Sequence, residues 1–288
     1  TISHFNNLHQ IDKNGAAISL IDCGLSCKGS TFKNCDSTQG GGGAIYIKNK
    51  FDVSNSIFLE KLIFNECKAV YGGAVYIYSS SDKSSAIIKS CTFESNENVQ
   101  DDTNLVEKNL FGGSAVFMTV KQGQLMRNKF YRNIGNGGCV KLYNNFDDDA
   151  KLQYLEKKKN IVWISDCLFE IDERSNCSIL YVGGKYSSVN EIKNCVFTGS
   201  LSKGNHYIDG QMLLNDSPKM RIRSCKFASE LKNSVNQDSK NDFASFDIKN
   251  QIFNYKKNDN KGENNKWMIA SLSSLMVICT IVLLIIAL

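Results

Sequence analysis

The residues best suited to bond-breaking chemistry are acidic clusters, Asp101-Asp102 and Asp147-Asp148-Asp149. Carboxylates converging on one face can act as general acid and base on a polysaccharide. Arg221-Ile222-Arg223 offers two guanidinium groups on one face of an extended segment, suited to an anionic sugar. Together they would serve a polysaccharide lyase or glycoside hydrolase. Each has a plainer reading. The acids sit where the sequence pattern is interrupted, and solvated charge is the ordinary state of such runs. Two arginines on one strand are ordinary surface charge. No Ser/His/Asp motif, phosphate loop or nucleotide fingerprint occurs, so no catalytic residue is assigned.

Metal and cofactor chemistry fare no better. Cys23-x3-Cys27 has no matching second pair, and His4, His9 and His206 are scattered, so no zinc site is expected. Gly40 to Gly43 could cradle a phosphate, but no helix follows it and the phrase recurs as a turn. No cofactor is expected. Lys and Arg exceed Asp and Glu by 34 to 29, a net charge of +5. No dense basic stripe with interleaved aromatics is visible along the chain, which argues against a nucleic-acid partner.

What positions any such residues is a repeat. Gly42-Gly43-Ala44-Ile45-Tyr46-Ile47 returns as Gly72-Gly73-Ala74-Val75-Tyr76-Ile77, with looser copies starting at Gly15, Gly112 and Gly137. A Phe alternates with it at positions 5, 32, 64, 93, 130, 169, 197 and 227, in steps of 27, 32, 29, 37, 39, 28 and 30. The two longest steps mark inserted loops, at 97–111 and 144–160. Three residues after the Phe stand Leu8, Cys35, Cys67, Asn96, Asn133 and Asp172; two before it stand Ser30, Leu62, Cys91, Asn128, Cys167, Cys195 and Cys225.

Both phrases are short and rich in β-branched and aromatic residues, the composition of strands. The reading is two strands per unit, with Ile87, Lys89, Cys91 and Phe93 on one face of a single strand. Units of about 30 residues that cannot bury their own apolar face stack upon one another. The predicted fold is all-β: a right-handed parallel β-helix of about seven or eight coils, with the Phe and the Ile of the glycine phrase as internal ladders. A propeller needs a longer period and four strand signals per blade. Lys151 to Lys159 is the best helical candidate before residue 266, and Phe243 to Tyr255 is a candidate last strand or cap.

The tetrapeptides Gly42-Gly43-Ala44-Ile45, Phe93-Glu94-Ser95-Asn96 and Phe130-Tyr131-Arg132-Asn133 resemble the repeats of polymorphic outer membrane proteins (Pmp), in the form found on protist surfaces. The resemblance covers about residues 5–230, strongly to 145. It implies a β-helix of the pectin lyase-like superfamily, displayed outside the cell and linked to adhesion. Bacterial members end in a membrane β-barrel, whereas this chain ends in an apolar helical run. No pectinase-type Asn-Thr-Asp or Gly-His-Gly signature accompanies the repeat.

The eleven cysteines read mainly as ladder positions, because they trade places with Asn and Ser. Adjacent coils lie within disulfide reach, so bridges stay open, with Cys23 and Cys27 the best placed local pair. Residues 267–288 carry no charge and would span about 33 Å as a helix, matching a bilayer core. The domains are therefore 1–230, the repeat; 231–266, a polar stalk or cap; and 267–288, a transmembrane helix contacting membrane lipid. Lys256, Lys257, Lys261 and Lys266 would draw the repeats inward by the positive-inside count. The resemblance places them outside, and the sequons at Asn176 and Asn215 fit export and glycosylation. A GPI signal is the other reading of the tail. Thr1 falls inside a repeat, as expected of a fragment or processed form.

The expectation is a single-pass plasma-membrane protein whose extracellular repeat serves adhesion or recognition of a host or matrix protein or glycan. The alternatives are a carbohydrate-active enzyme and a structural coat protein.

Overall fold

Successive copies of the Phe phrase lie side by side in one sheet, in register and parallel. In the computed structural model Phe5 pairs with Phe32, Phe32 with Phe64, Phe64 with Phe93, and so on to Phe227. The structure describes residues 3–11, 13–49, 54–79, 81, 83–99, 112–135, 138–143, 161–172, 174, 179–183, 189–199, 208–211, 221–228 and 251–252. Residues 1–254 form one compact unit. Among the described residues there is no helix.

Three sheets are built, and the chain visits them in rotation. The glycine phrase forms a seven-stranded sheet from Ile18–Ile21 to Ile208–Gln211. A second seven-stranded sheet runs from Leu25–Lys28 to Arg221–Arg223. The Phe sheet starts at His4–Gln10 and ends at Gln251–Ile252, which pairs with Lys226–Phe227. That last pairing supplies a strand from the stretch 243–255. Every pairing between described strands is parallel, so a propeller of antiparallel blades is excluded. The arrangement is all-β and compatible with a parallel β-helix.

The second sheet corrects the two-strand reading. Ser90 breaks the predicted strand with a φ of +56°. Ser85–Lys89 and Thr92–Glu94 are therefore separate strands in different sheets. Ala86 and Ile88 point inward before the bend and Cys91 and Phe93 after it, while Ile87 and Lys89 face outward. The same left-handed bend recurs at Lys61, Arg127, Asp166, Asn194 and Ser224, always three residues before the Phe. For a side-chain-bearing residue it costs about 1–2 kcal/mol. Its gain is continuity of hydrogen bonding: Lys61 N–H donates to Lys89 O, Ser90 N–H to Met126 O and Arg127 N–H to Ser165 O, at 2.8–3.0 Å. The glycine phrase supplies another corner. A Cβ on Gly42, at φ +63°, would stand 2.0 Å from Ile45 O, so only glycine fits.

The core is a set of columns. Phe32, Phe64, Phe93, Phe130, Phe169, Phe197 and Phe227 are fully buried, with ring centroids 4.8–5.0 Å apart and planes within 8°. Each buried Phe contributes about 1.5–3 kcal/mol. Beside this column runs a polar one. Asn96 Nδ2 donates to Phe64 O at 3.2 Å and its Oδ1 accepts from Cys67 N–H at 3.0 Å. Asn133 repeats both bonds toward Phe93 O and Asn96 N–H. On the other side of the Phe, Asn128 bonds Ile88 O and Cys91 N–H at 2.8 and 2.9 Å.

The cysteines fill the same posts. The Sγ of Cys91 lies 3.6 Å from Leu59 O and that of Cys167 3.5 Å from Leu125 O, the carbonyls that Asn would reach. Cys35, Cys67, Cys91, Cys167 and Cys195 are free thiols. So are Cys23 and Cys27, against the expected local pair. Cys27 packs toward the core from its strand, while Cys23 lies exposed in the preceding turn. Asn128→Ala should destabilise by about 1–3 kcal/mol for each buried group left unpaired. Asn128→Cys should lose clearly less, because a thiol still reaches Ile88 O; urea unfolding compares the two.

Candidate functional site

Side chains alternate along each strand, so every inward column has an outward neighbour that repeats rung by rung. Chemistry open to a ligand must come from the outward columns.

The acids singled out from sequence, Asp101, Asp102, Asp147, Asp148 and Asp149, lie outside the described residues. So do the sequons at Asn176 and Asn215, His206, and the helical candidate 151–159. Arg221 and Arg223 share a strand, paired in register with Glu191 and Lys193. Arg223 Nε is 3.5 Å from Glu191 Oε1, which makes it an exposed ion pair. His9 Nδ1 faces Asp36 Oδ2 at 3.6 Å. Among the described residues no cluster of His, Cys, Asp and Glu could hold a metal ion.

Two arrangements escaped sequence reasoning. One is an outward column of the Phe sheet, where Glu94, Tyr131 and Glu170 are in-register neighbours. The two carboxylates flank the Tyr131 ring, two rungs or about 9.6 Å apart along the backbone. Arg132 pairs with Glu94. Asp172 is gripped by Arg174 through Nε and Nη2, at 2.9 and 2.8 Å. Burial raises the Glu170 carboxyl above the usual range; Arg132 opposes this, and Asp172 and Glu94 reinforce it. Asp172 moves the other way, held low by its Arg174 hydrogen bond. Two neighbouring carboxyls shifted in opposite directions are the chemical division that acid–base catalysis uses.

The other is aromatic. Tyr46, Tyr76 and Phe117 stack at 5.0 and 5.1 Å on the outward side of the glycine-phrase sheet. They are not an open platform. Gly41 lies against the Tyr46 and Tyr76 rings, and Tyr71 packs on Tyr76 at 6.2 Å. Next in the column is Lys141, itself buried, with Nζ 4.9 Å from the Tyr181 ring centroid and 5.4 Å from that of Tyr143. This is a second interior packed on the sheet, with a cation–π contact at its end.

Two thiols of the column two residues before the Phe are held protonated. Burial pushes Cys91 up to about 12, and it also lifts Cys195 well above the ordinary value. Neither forms a thiolate, the reactive species, at neutral pH.

No family model matches the chain, and no curated protein or solved structure does. Among the described residues no helix is long and apolar enough to cross a membrane. The expected span 267–288 lies outside them.

Glu170→Gln gives a test with a definite sign. A carboxyl whose folded pKa exceeds its unfolded one favours the fold most at low pH and least once both states are ionised. The variant should therefore gain stability over wild type as pH rises from 4 through 7 (~4 being the ordinary Glu range). Urea midpoints across that range check it.

Proposed function

We propose that the chain is a right-handed parallel β-helix displayed outside the cell as a non-catalytic recognition or adhesion protein. In this reading residues 267–288 hold it at the plasma membrane as a single span, after a polar stalk at 231–266. The observation that carries it is the in-register stack, which puts outward columns of side chains along continuous faces over seven circuits. Such faces bind extended partners through many weak contacts rather than one pocket. The Pmp-type phrases and the uncharged 22-residue tail point the same way. The partner is a host or matrix glycan or protein, and glycosylation at Asn176 and Asn215 belongs to the same reading.

The test is accessibility. A membrane-impermeant amine reagent on intact cells should modify exposed lysines such as Lys33 and Lys193. Modification of these lysines only after permeabilisation would rule out display.

The second reading is a glycoside hydrolase or lyase, favoured by the Glu94–Tyr131–Glu170 column. Paired-carboxylate hydrolysis places one carboxyl group on each side of the scissile bond, and Glu94 and Glu170 stand two rungs apart on one outward column. It predicts that the purified chain releases reducing ends from a polysaccharide and that Glu170→Gln stops the release. Equal release by the variant would remove that column from consideration.

A further inference from the structure

Among the described residues, cations gather on one edge. Where the second sheet turns into the Phe sheet, three outward positions repeat on every rung: the last residue of the second-sheet strand, the left-handed bend, and the residue before the Phe. The first holds Lys28, Lys89, Lys193 and Arg223. The bend holds Lys61 and Arg127. The third holds Lys129 and Lys226. Only Glu60 and Asp166 are acidic in these columns. Glu60 is already occupied, between Lys28 at 3.0 Å and Lys89 at 3.5 Å. Asp166 accepts a hydrogen bond from Asn194 at 3.1 Å.

Five of these cations point to a ligand. Lys61, Arg127, Lys129, Lys193 and Lys226 are exposed, and no acidic side chain among the described residues pairs with them. The opposite edge of the same sheet differs. There Glu94 is bound by Arg132 and Glu97 by Lys68, and Glu66 and Glu170 add further acid. The unpaired cations fall one or two rungs apart, about 5–10 Å, comparable with the ~8 Å screening length at physiological salt. Their potentials therefore overlap along the edge.

We propose that this edge is the docking strip for an extended acidic polysaccharide carrying sulfate or carboxylate groups along its length. The proposal rests on the display reading above and names the chemistry of its ligand. Three features select this partner. The strip is linear and spans seven rungs, about 29 Å, so a chain rather than a compact anion fits it. The positions between the cations include six hydroxyls and amides, Thr31, Ser90, Thr92, Ser165, Asn194 and Ser224, beside the apolar Ile63, Met126, Leu168 and Val196. The six polar side chains hydrogen-bond sugar hydroxyls and sulfates alike. Single-stranded nucleic acid is bound on successive aromatic platforms, and these columns contain no Phe, Tyr or Trp among the described residues.

The experiment uses the full chain in detergent micelles. Binding is measured to a sulfated glycosaminoglycan, to polygalacturonate, to neutral dextran and to single-stranded DNA, at low and physiological salt. One variant combines Arg127→Asn, Lys129→Gln, Lys193→Gln and Lys226→Gln; Asn suits the left-handed bend at Arg127. The control combines Lys13→Gln, Lys33→Gln, Lys48→Gln and Lys83→Gln, removing the same charge elsewhere. Binding to one or both acidic polysaccharides should weaken with salt and fall by at least about tenfold in the strip variant. The control should stay within about twofold, and dextran should not bind. Equal losses in both variants, no loss in the strip variant, or DNA bound as tightly as the polysaccharides would overturn the proposal. Folding of both variants is checked by their urea midpoints. Loss of glycan binding leaves cell-surface labelling untouched, and failed labelling leaves the glycan result standing, so the two readings fail separately.

Discussion

Parallel in-register stacking is the constraint on which the rest depends. A residue in one circuit must be replaced in the next by one that tolerates the same neighbours at about 4.8 Å. Phe satisfies this best in the interior, because its ring stacks on its own copy without a polar group to satisfy. Once the Phe column is fixed, the positions around it have little freedom. The residue two before or three after it falls on the inner side of a bend, where a backbone N–H of the neighbouring circuit meets a side-chain oxygen, as at Cys67 and Cys91. A buried polar group without a partner is costly.

That requirement explains why Asn and Cys alternate. Asn returns two hydrogen bonds, one from Nδ2 to a carbonyl and one accepted by Oδ1 from a backbone N–H. Cys returns only a weak one through its S–H, but it is smaller and apolar and suits a site closed to water. The two are partial equivalents, and the chain uses Asn chiefly in the central circuits, at Asn96, Asn128 and Asn133. Cysteine here is an interior packing residue. Its abundance therefore carries little information about redox compartment, although abundance is what first draws attention to a disulfide framework.

The interior of this fold was legible because its columns are chemically uniform. Eight Phe at one spacing and five glycine phrases at another leave few alternatives. The second sheet was not legible for a specific reason. Its boundary is a left-handed bend at Lys61, Ser90, Arg127, Asp166, Asn194 and Ser224, six positions with five residue types. Because that bend is imposed by tertiary hydrogen bonds and not by local preference, the Ala86–Phe93 segment read as one strand and its first half was assigned the wrong face. The outward columns were illegible on different grounds. Lys89, Arg127 and Lys193 are remote in sequence, and the unequal loop lengths destroy any fixed period between them. The Tyr46–Tyr76–Phe117 column looked like strand composition, and only its covering by Gly41 and Tyr71 shows it to be a second interior.

Function in such a fold need not lie where the repeat is interrupted. The inserted loops attract attention because they break the pattern, yet the regular part has its own capacity for specificity. Interior columns and bends are fixed by packing and hydrogen bonding, so an outward position can change from Thr31 to Ile63 to Lys129 without disturbing a rung. Each such change adds one small, local interaction. Stacking then places it in line with those from circuits thirty or more residues away. A single exposed lysine contributes little in water, but several held on a rigid edge, spaced at about a screening length, act on one polyanion together. Net charge is therefore a poor guide to electrostatics in such a fold, because among the described residues the stack leaves cations unpaired on one edge of the Phe sheet and gathers acids on the other.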